Sequence, residues 1–245
     1  MSLSQAIAEA LKFIPVTSFT ISGTKIAINE TLFVSWIVMA ILIIASILLT
    51  RRLRTIPRGP QAILEVAVEF LDNFSREQFG RRAKIYGPYI GTLFLFILFA
   101  NIIPAITPVA ITIGGHRLEP LFVIKPPTRD VNLTAALAIF TILLVIFGGL
   151  KARGIKGWLK NLLHPVPMML PFNILEFFIR PTSLCLRLFG NMLGGFIILR
   201  LIETVVPLIL PPVISLWFDF LDGIIQALVF SFLATLYFAE AVKVE

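Results

Sequence analysis

Charge is scarce in this chain: 14% of its 245 residues are Asp, Glu, Lys or Arg, whereas 58% are hydrophobic. A soluble domain of this length has too much surface to cover with so few charged side chains, which excludes the water-soluble globular classes. Cysteine is almost missing. The single Cys185 rules out an internal disulfide and reads as a small apolar helix residue, and the two isolated histidines, His116 and His164, offer no zinc-binding set. No metal site and no cofactor is expected. The phosphate loops G-x-x-x-x-G-K-[ST] and G-x-G-x-x-G are absent, as is any Ser/His/Asp grouping, so the chain by itself is expected to perform no nucleotide chemistry.

The N-terminal MSLSQAIAEALKFIPV has neither a basic start nor a small-residue cleavage site before an apolar core, so it is not read as a cleaved signal peptide. Long apolar runs fill the rest. Residues 32–50 are uninterrupted over about the ~20 residues that a helix needs to cross the hydrocarbon core. Residues 89–106 and 132–150 are the next two spans. Between the first two, 61–79 carries Glu65, Glu69, Asp72 and Arg76 among apolar residues at helical spacing, which predicts an amphipathic helix at the interface or along the cytoplasmic surface. Two further apolar stretches, 171–202 and 212–241, are joined by a turn containing Pro207, Pro211 and Pro212. As helices of about 30 residues they would run about 45 Å at ~1.5 Å per residue, against a hydrocarbon thickness of ~30 Å, and so are expected to form a strongly tilted or kinked hairpin. The fold class is therefore an all-α integral membrane protein with about five membrane helices and one amphipathic interfacial helix. The outer loop around GGHRLEP and KPPTRD is expected to lack clear secondary structure.

The net charge of +7 raises nucleic acid or anionic lipid as a partner, and the position of the cations decides. Arg51, Arg52, Arg54 and Arg58 follow the first span, Arg76, Arg81, Arg82 and Lys84 precede the second, and Lys151, Arg153, Lys156 and Lys160 follow the third. This is the positive-inside pattern of a protein in contact with membrane lipid, not a nucleic-acid surface. It predicts five crossings with the N-terminus outside, including the external segment 1–31, and the C-terminus in the cytoplasm.

One cation falls inside an apolar run. Arg187 lies in SLCLRLFGNMLGGFIILRL, where a charge at mid-helix is unfavourable by about 2.5–3.5 kcal/mol on insertion scales. Ser183 and Asn191, four residues to either side, share its face, and Gly190, Gly194 and Gly195 lie close by. Two readings stand: a tight helix contact with Arg187 snorkelling to the interface, or a functional cation far from either helix end. Asp219, Asp222, Gly223 and Gln226 fall at i, i+3, i+4 and i+7 on the last helix, with Tyr237 three turns on. Antiparallel packing would bring Gln226 near Arg187. The two carboxylates suggest an ion path or, near a helix end, a simple cap. Asp130 and Asn132 open the third span as an N-cap or a further lining, with Asp130 the better cap. Glu176 pairs in sequence with Arg180 at i+4 or lies near a cytoplasmic exit, and Glu240 is similarly placed or merely solvated.

Three segments, RPTSLCLRLFGNMLGG, PPTRDVNLTAALA and IIQALVFSFLATLYFAEA, resemble subunit a of the F-type ATP synthase, a likeness that runs from about Thr31 to the C-terminus. The resemblance implies that Arg187 is the essential arginine opposite carboxylates of a c-subunit ring, with Ser183 and Asn191 as neighbours, and that Gln226 and Tyr237 belong to the site. It also implies peripheral-stalk b subunits and the rest of the complex as partners, and a bacterial plasma membrane. One departure is visible: where many bacterial relatives carry a carboxylate nine residues after the arginine, this chain has Phe196, and Asp219, seven residues before Gln226, is the replacement candidate. On this reading protons enter through an outer half-channel of Asp130, Asn132, Asn191, Asp219, Asp222 and Gln226, and leave on the cytoplasmic side near Glu176 and Glu240. The rival class is a self-contained proton- or ion-coupled transporter in which Arg187 binds an anionic substrate, against which stands the absence of inverted repeats. A passive membrane scaffold is a third reading.

Overall fold

The computed structural model describes residues 15–21, 24–51, 53, 59–105, 111–113, 116–118, 126–162, 168, 170–205 and 216–242. Five of its helices are long and apolar enough to cross a membrane, which makes the chain an all-α integral membrane protein. In chain order the elements are β1 (Pro15–Ile21), β2 (Thr24–Asn29), α1 (Glu30–Thr50), α2 (Pro60–Phe79), α3 (Ala83–Ala105), β3 (Ile111–Ile113), β4 (His116–Leu118), α4 (Val131–Leu162), α5 (Leu170–Val205) and α6 (Gly223–Val242).

Two short hairpins amend the purely helical expectation. β1 pairs antiparallel with β2, Thr17 opposite Ile28 and Ile21 opposite Thr24, and β3 with β4, Ile111 opposite Leu118 and Ile113 opposite His116. The loop expected to lack secondary structure thus contains a hairpin. The signal was present in the sequence: Ile-Thr-Ile is β-branched throughout, and Gly-Gly is a two-residue connection that hairpins favour. The prolines and glycines around it obscured that signal.

Residues up to Ile43, Phe96–Leu133 and Arg187–Ala227 form one compact unit; Ile44–Leu95, Thr134–Leu186 and the chain from Leu228 form a second. In the first unit α1 buries Val34 and Val38 with Ala100, and Phe96, Phe99 and Ile103 of α3 pack on them. The stripe is narrow because lipid, not protein, covers the remaining apolar face of a span. Phe33 and Trp36 accordingly stay exposed.

The second unit is built on close helix approaches. A side-chain carbon at Gly87 would stand 3.2 Å from Ser75, and one at Gly91 3.6 Å from Leu71, so α2 runs antiparallel to the start of α3. Their connection is a single 3₁₀ turn, Gly80–Arg82, entered through Gly80 at φ 55°, a backbone that only glycine adopts without strain. The rings of Phe79, Tyr86 and Phe238 meet edge-on or tilted at 4.6–5.7 Å, and Arg82 donates to the carbonyl of Val242 at 2.6 Å, fastening the end of α6 to that turn. On α4, Gly148 leaves room for Phe238, whose ring would lie 2.8 Å from any added carbon. Gly154, at φ 69° and ψ 166°, divides the 32 residues of α4 into two helical pieces, so that the basic IKGWLK segment after it takes a new direction.

The two final helices differ from uniform α-helix. α5 runs 36 residues with Pro181 inside, which removes the backbone bond to the Phe177 carbonyl. Before α6 the chain forms a π-helical stretch, Leu216–Asp222. The α-helical count that placed Asp219 and Asp222 on one stripe with Gln226 therefore applies only from Gly223 onward, because a π turn takes more residues. The proline turn at 207–212 lies outside the described residues, and so does the side chain of Asp219.

Candidate functional site

Arg187 stands midway along α5 on its exposed side, while Leu184 and Leu188, to either side of it, are buried. Among the described residues it has no hydrogen bond and no ion pair. The neighbouring glycines are open as well: a side-chain carbon at Gly190 or Gly194 would meet nothing within 4 Å. Of the two readings, a close backbone approach of another helix at Gly190 or Gly194 does not occur among the described residues. A mid-helix guanidinium and a run of small residues are presented outward instead.

One turn beyond Arg187, Asn191 donates from its Nδ2 to Oε1 of Gln226 at 2.7 Å, which joins α5 to α6. Gln226 is 1% exposed, and its own Nε2 finds no partner among the described residues. The expected antiparallel pairing thus brings Gln226 to Asn191, one turn from Arg187. Half-buried Asp222 lies one turn before Gln226.

Asp130 precedes α4 with extended backbone, and its Oδ1 accepts from the backbone N–H of Asn132 at 2.9 Å and from the Asn132 carboxamide at 3.1 Å. This is an N-cap, as the sequence favoured, and it is 4% exposed. Phe196, standing where a carboxylate was expected, lies beneath the guanidinium of Arg129 at 4.4 Å from the ring centre. The aromatic face supplies electron density to a buried cation at the place where an acid would supply charge.

Sequence reading passed over Asn101, which is 1% exposed on α3. Its carbonyl accepts from the Thr128 hydroxyl, its Nδ2 is buried without a partner among the described residues, and its Cβ would lie 2.8 Å from a carbon added at Gly223. A lone carboxamide in FLFILFANIIPA was the available clue. Because backbone and Cβ atoms have little freedom to move aside, Gly223→Ala is expected to lower stability by about 1–3 kcal/mol, read as an earlier thermal unfolding of the purified chain in detergent.

In the second unit three further candidates gather on one cation. Arg180 donates to Glu176 at 2.6 Å and to Glu240 at 2.9 Å, and its guanidinium lies 4.8 Å from the ring centre of Tyr237. The pairing of Glu176 with Arg180 is seen, but it is not isolated, since the same arginine reaches α6. Arg153 adds a bond to the Glu240 carbonyl at 3.2 Å. Ser183 is half-buried on α5, and two residues further on Cys185 meets Thr134 at 3.4 Å. No group of three His, Cys, Asp or Glu residues able to hold a metal exists among the described residues.

These features define a multi-pass helical membrane protein with polar side chains gathered along its last two helices and a cation turned outward. The sequence matches the family described as ATP synthase A chain over residues 32–239. A relative from Moorella thermoacetica (strain ATCC 39073 / JCM 9320), described as ATP synthase subunit a, is 36% identical over 220 residues, covering 89% of this chain and 92% of the relative. The chain belongs to this family of membrane-sector subunits of the F-type ATP synthase, and so to the ATP synthase complex.

Proposed function

We propose that this chain is the proton-conducting stator subunit that passes protons to and from the carboxylates of a c-subunit ring through two half-channels. The observation that carries the proposal is Arg187, exposed on a membrane span, without a partner among the described residues and beside open glycines. A charge so placed is tolerable only if another protein brings it a counter-ion. An ionised carboxylate passing on the ring is that counter-ion: the guanidinium favours its charged form, drives release of its proton and obstructs a direct leak.

The inlet candidates Asp130, Asn132, Asn191, Asp222 and Gln226, with Asp219, all belong to the first compact unit, and the outlet candidates Glu176, Tyr237 and Glu240 to the second. That partition supports separate paths. The buried amides of Gln226 and Asn101 offer donors that water would satisfy on the inlet side. On the outlet side the carboxylates of Glu176 and Glu240 meet at Arg180 and stay exposed, where they can exchange a proton with water. Each proton crossing ~100 mV releases about 2.3 kcal/mol, and several together turn the ring. The chain is placed in a bacterial plasma membrane with its N-terminus outside and C-terminus cytoplasmic, held by b subunits of the peripheral stalk.

The purified chain alone in liposomes is expected to show neither proton conduction nor substrate uptake under an imposed gradient, and conduction is expected on co-reconstitution with the c-ring. Uptake or conduction by the chain alone would favour the self-contained transporter.

A further inference from the structure

Two buried carboxamides of the first unit are turned the same way. Asn101 on α3 and Gln226 on α6 are each 1% exposed. The carbonyl of Gln226 accepts from Asn191 Nδ2 at 2.7 Å, and that of Asn101 accepts from the hydroxyl of Thr128, which is itself fully buried. Their nitrogens, Gln226 Nε2 and Asn101 Nδ2, have no partner among the described residues. In both side chains the oxygen is engaged inside the chain, and the N–H groups are what remains to meet anything that passes.

The two amides are neighbours. A carbon added at Gly223 would stand 2.8 Å from Cβ of Asn101, and Gln226 follows Gly223 by three residues on the same side of α6. Both therefore belong to the contact of α3 with α6, one helical turn apart.

A metal cation sheds its water in a narrow polar passage only where oxygens take the water's place. Unpaired N–H groups present the positive end of their dipole and offer such an ion nothing in return for its hydration. Water meets them well. One N–H holds the oxygen of one water through a single lone pair, so the second lone pair stays free to take a proton while the same water passes one of its own onward. We infer that Asn101 and Gln226 form a donor-faced constriction by which this chain itself selects protons against Na⁺ and the other alkali-metal cations, with Thr128 and Asn191 setting the selection by engaging the amide oxygens. The inference rests on the proposed proton path and adds to it the place where the ion is discriminated.

The test uses the intact complex in liposomes under an imposed pH gradient, with proton conduction through the ring read by a pH-sensitive dye and either Na⁺ or the same concentration of choline on the inlet side. Equal rates in the two salts are expected for the native complex. Asn101→Asp keeps the shape of the side chain and exchanges the unpaired donors for an oxygen. With it, Na⁺ is expected to slow proton conduction several-fold relative to choline, because the ion is now ligated where the proton has to pass. Asn101→Leu removes the donors without supplying an oxygen, and its conduction is expected to fall equally in both salts. Gln226→Glu is expected to show the Na⁺ sensitivity of Asn101→Asp, and it decides the matter where Asn101→Asp does not assemble. Since the ring is the same throughout, a Na⁺ effect confined to the carboxylate variants belongs to this chain. Slower conduction of the native complex in Na⁺, or equal rates in the two salts for the carboxylate variants, would overturn the inference. A native complex without ring-dependent conduction in either salt would overturn the proposed function itself, a result distinct from both.

Discussion

Arg187→Ala is expected to abolish ATP-driven proton pumping in vesicles carrying the assembled complex, to raise passive proton conduction, and to leave the chain as stable as before. The three results belong together. An arginine paired inside its own chain leaves a buried carboxylate behind when removed, a loss of about 3–5 kcal/mol. Arg187 has no such partner among the described residues and no surrounding packing to collapse, and alanine is the better helix former. Function should therefore fail without unfolding. Fluorescence-dye quenching on vesicles measures the pumping, and thermal unfolding of the purified chain measures the stability. A snorkelling arginine would give the reverse pattern, with pumping near normal.

Gly190→Phe should give a second separation of stability from function. A glycine inside a helix is about 1 kcal/mol less favourable than alanine, and a Cβ at 190 would meet nothing within 4 Å among the described residues, so folding is expected to be unharmed or slightly favoured. If a c-subunit helix passes this stripe nearly backbone to backbone, a phenyl group there blocks it. Co-purification of the ring and ATP-driven pumping are then expected to fall to background. Retention of both would show that no ring approaches this face.

The five spans were legible because apolar runs of the necessary length have few other uses, and Arg187 because a cation interrupts one of them. Asp130 as a cap followed from its place before an apolar run, and Glu176 with Arg180 from their i, i+4 spacing. Less was legible where partners are remote in sequence. That Arg180 also reaches Glu240, or that Arg129 stacks on Phe196, depends on helices 60 and 67 residues apart meeting in space, which no local pattern encodes. The π-helical stretch at Leu216–Asp222 escaped because its residues fit an α-helix equally well, so the spacing given to Asp219 and Asp222 was regular where the backbone is not. The hairpin β3–β4 was hidden by short length and surrounding turn residues.

Phe196 illustrates how one substitution reorganises an environment. With a ring at this position the guanidinium of Arg129 lies over an aromatic face, and Asp130, Asp222 and, in the sequence, Asp219 belong to the same unit. The acids proposed for the inlet then lie just before α4 and at the approach to α6.

The central claim is that Arg187 works against a carboxylate of a partner ring. Disulfide crosslinking tests it most directly, with Cys185 replaced by alanine and new cysteines at Leu186, which is 58% exposed, and at Gly190, each paired with a cysteine one turn from the ring carboxylate. The account predicts crosslinks to the c-subunit from both positions in the assembled complex under mild oxidation. Absence of any crosslink from either position, with the complex intact, would contradict it.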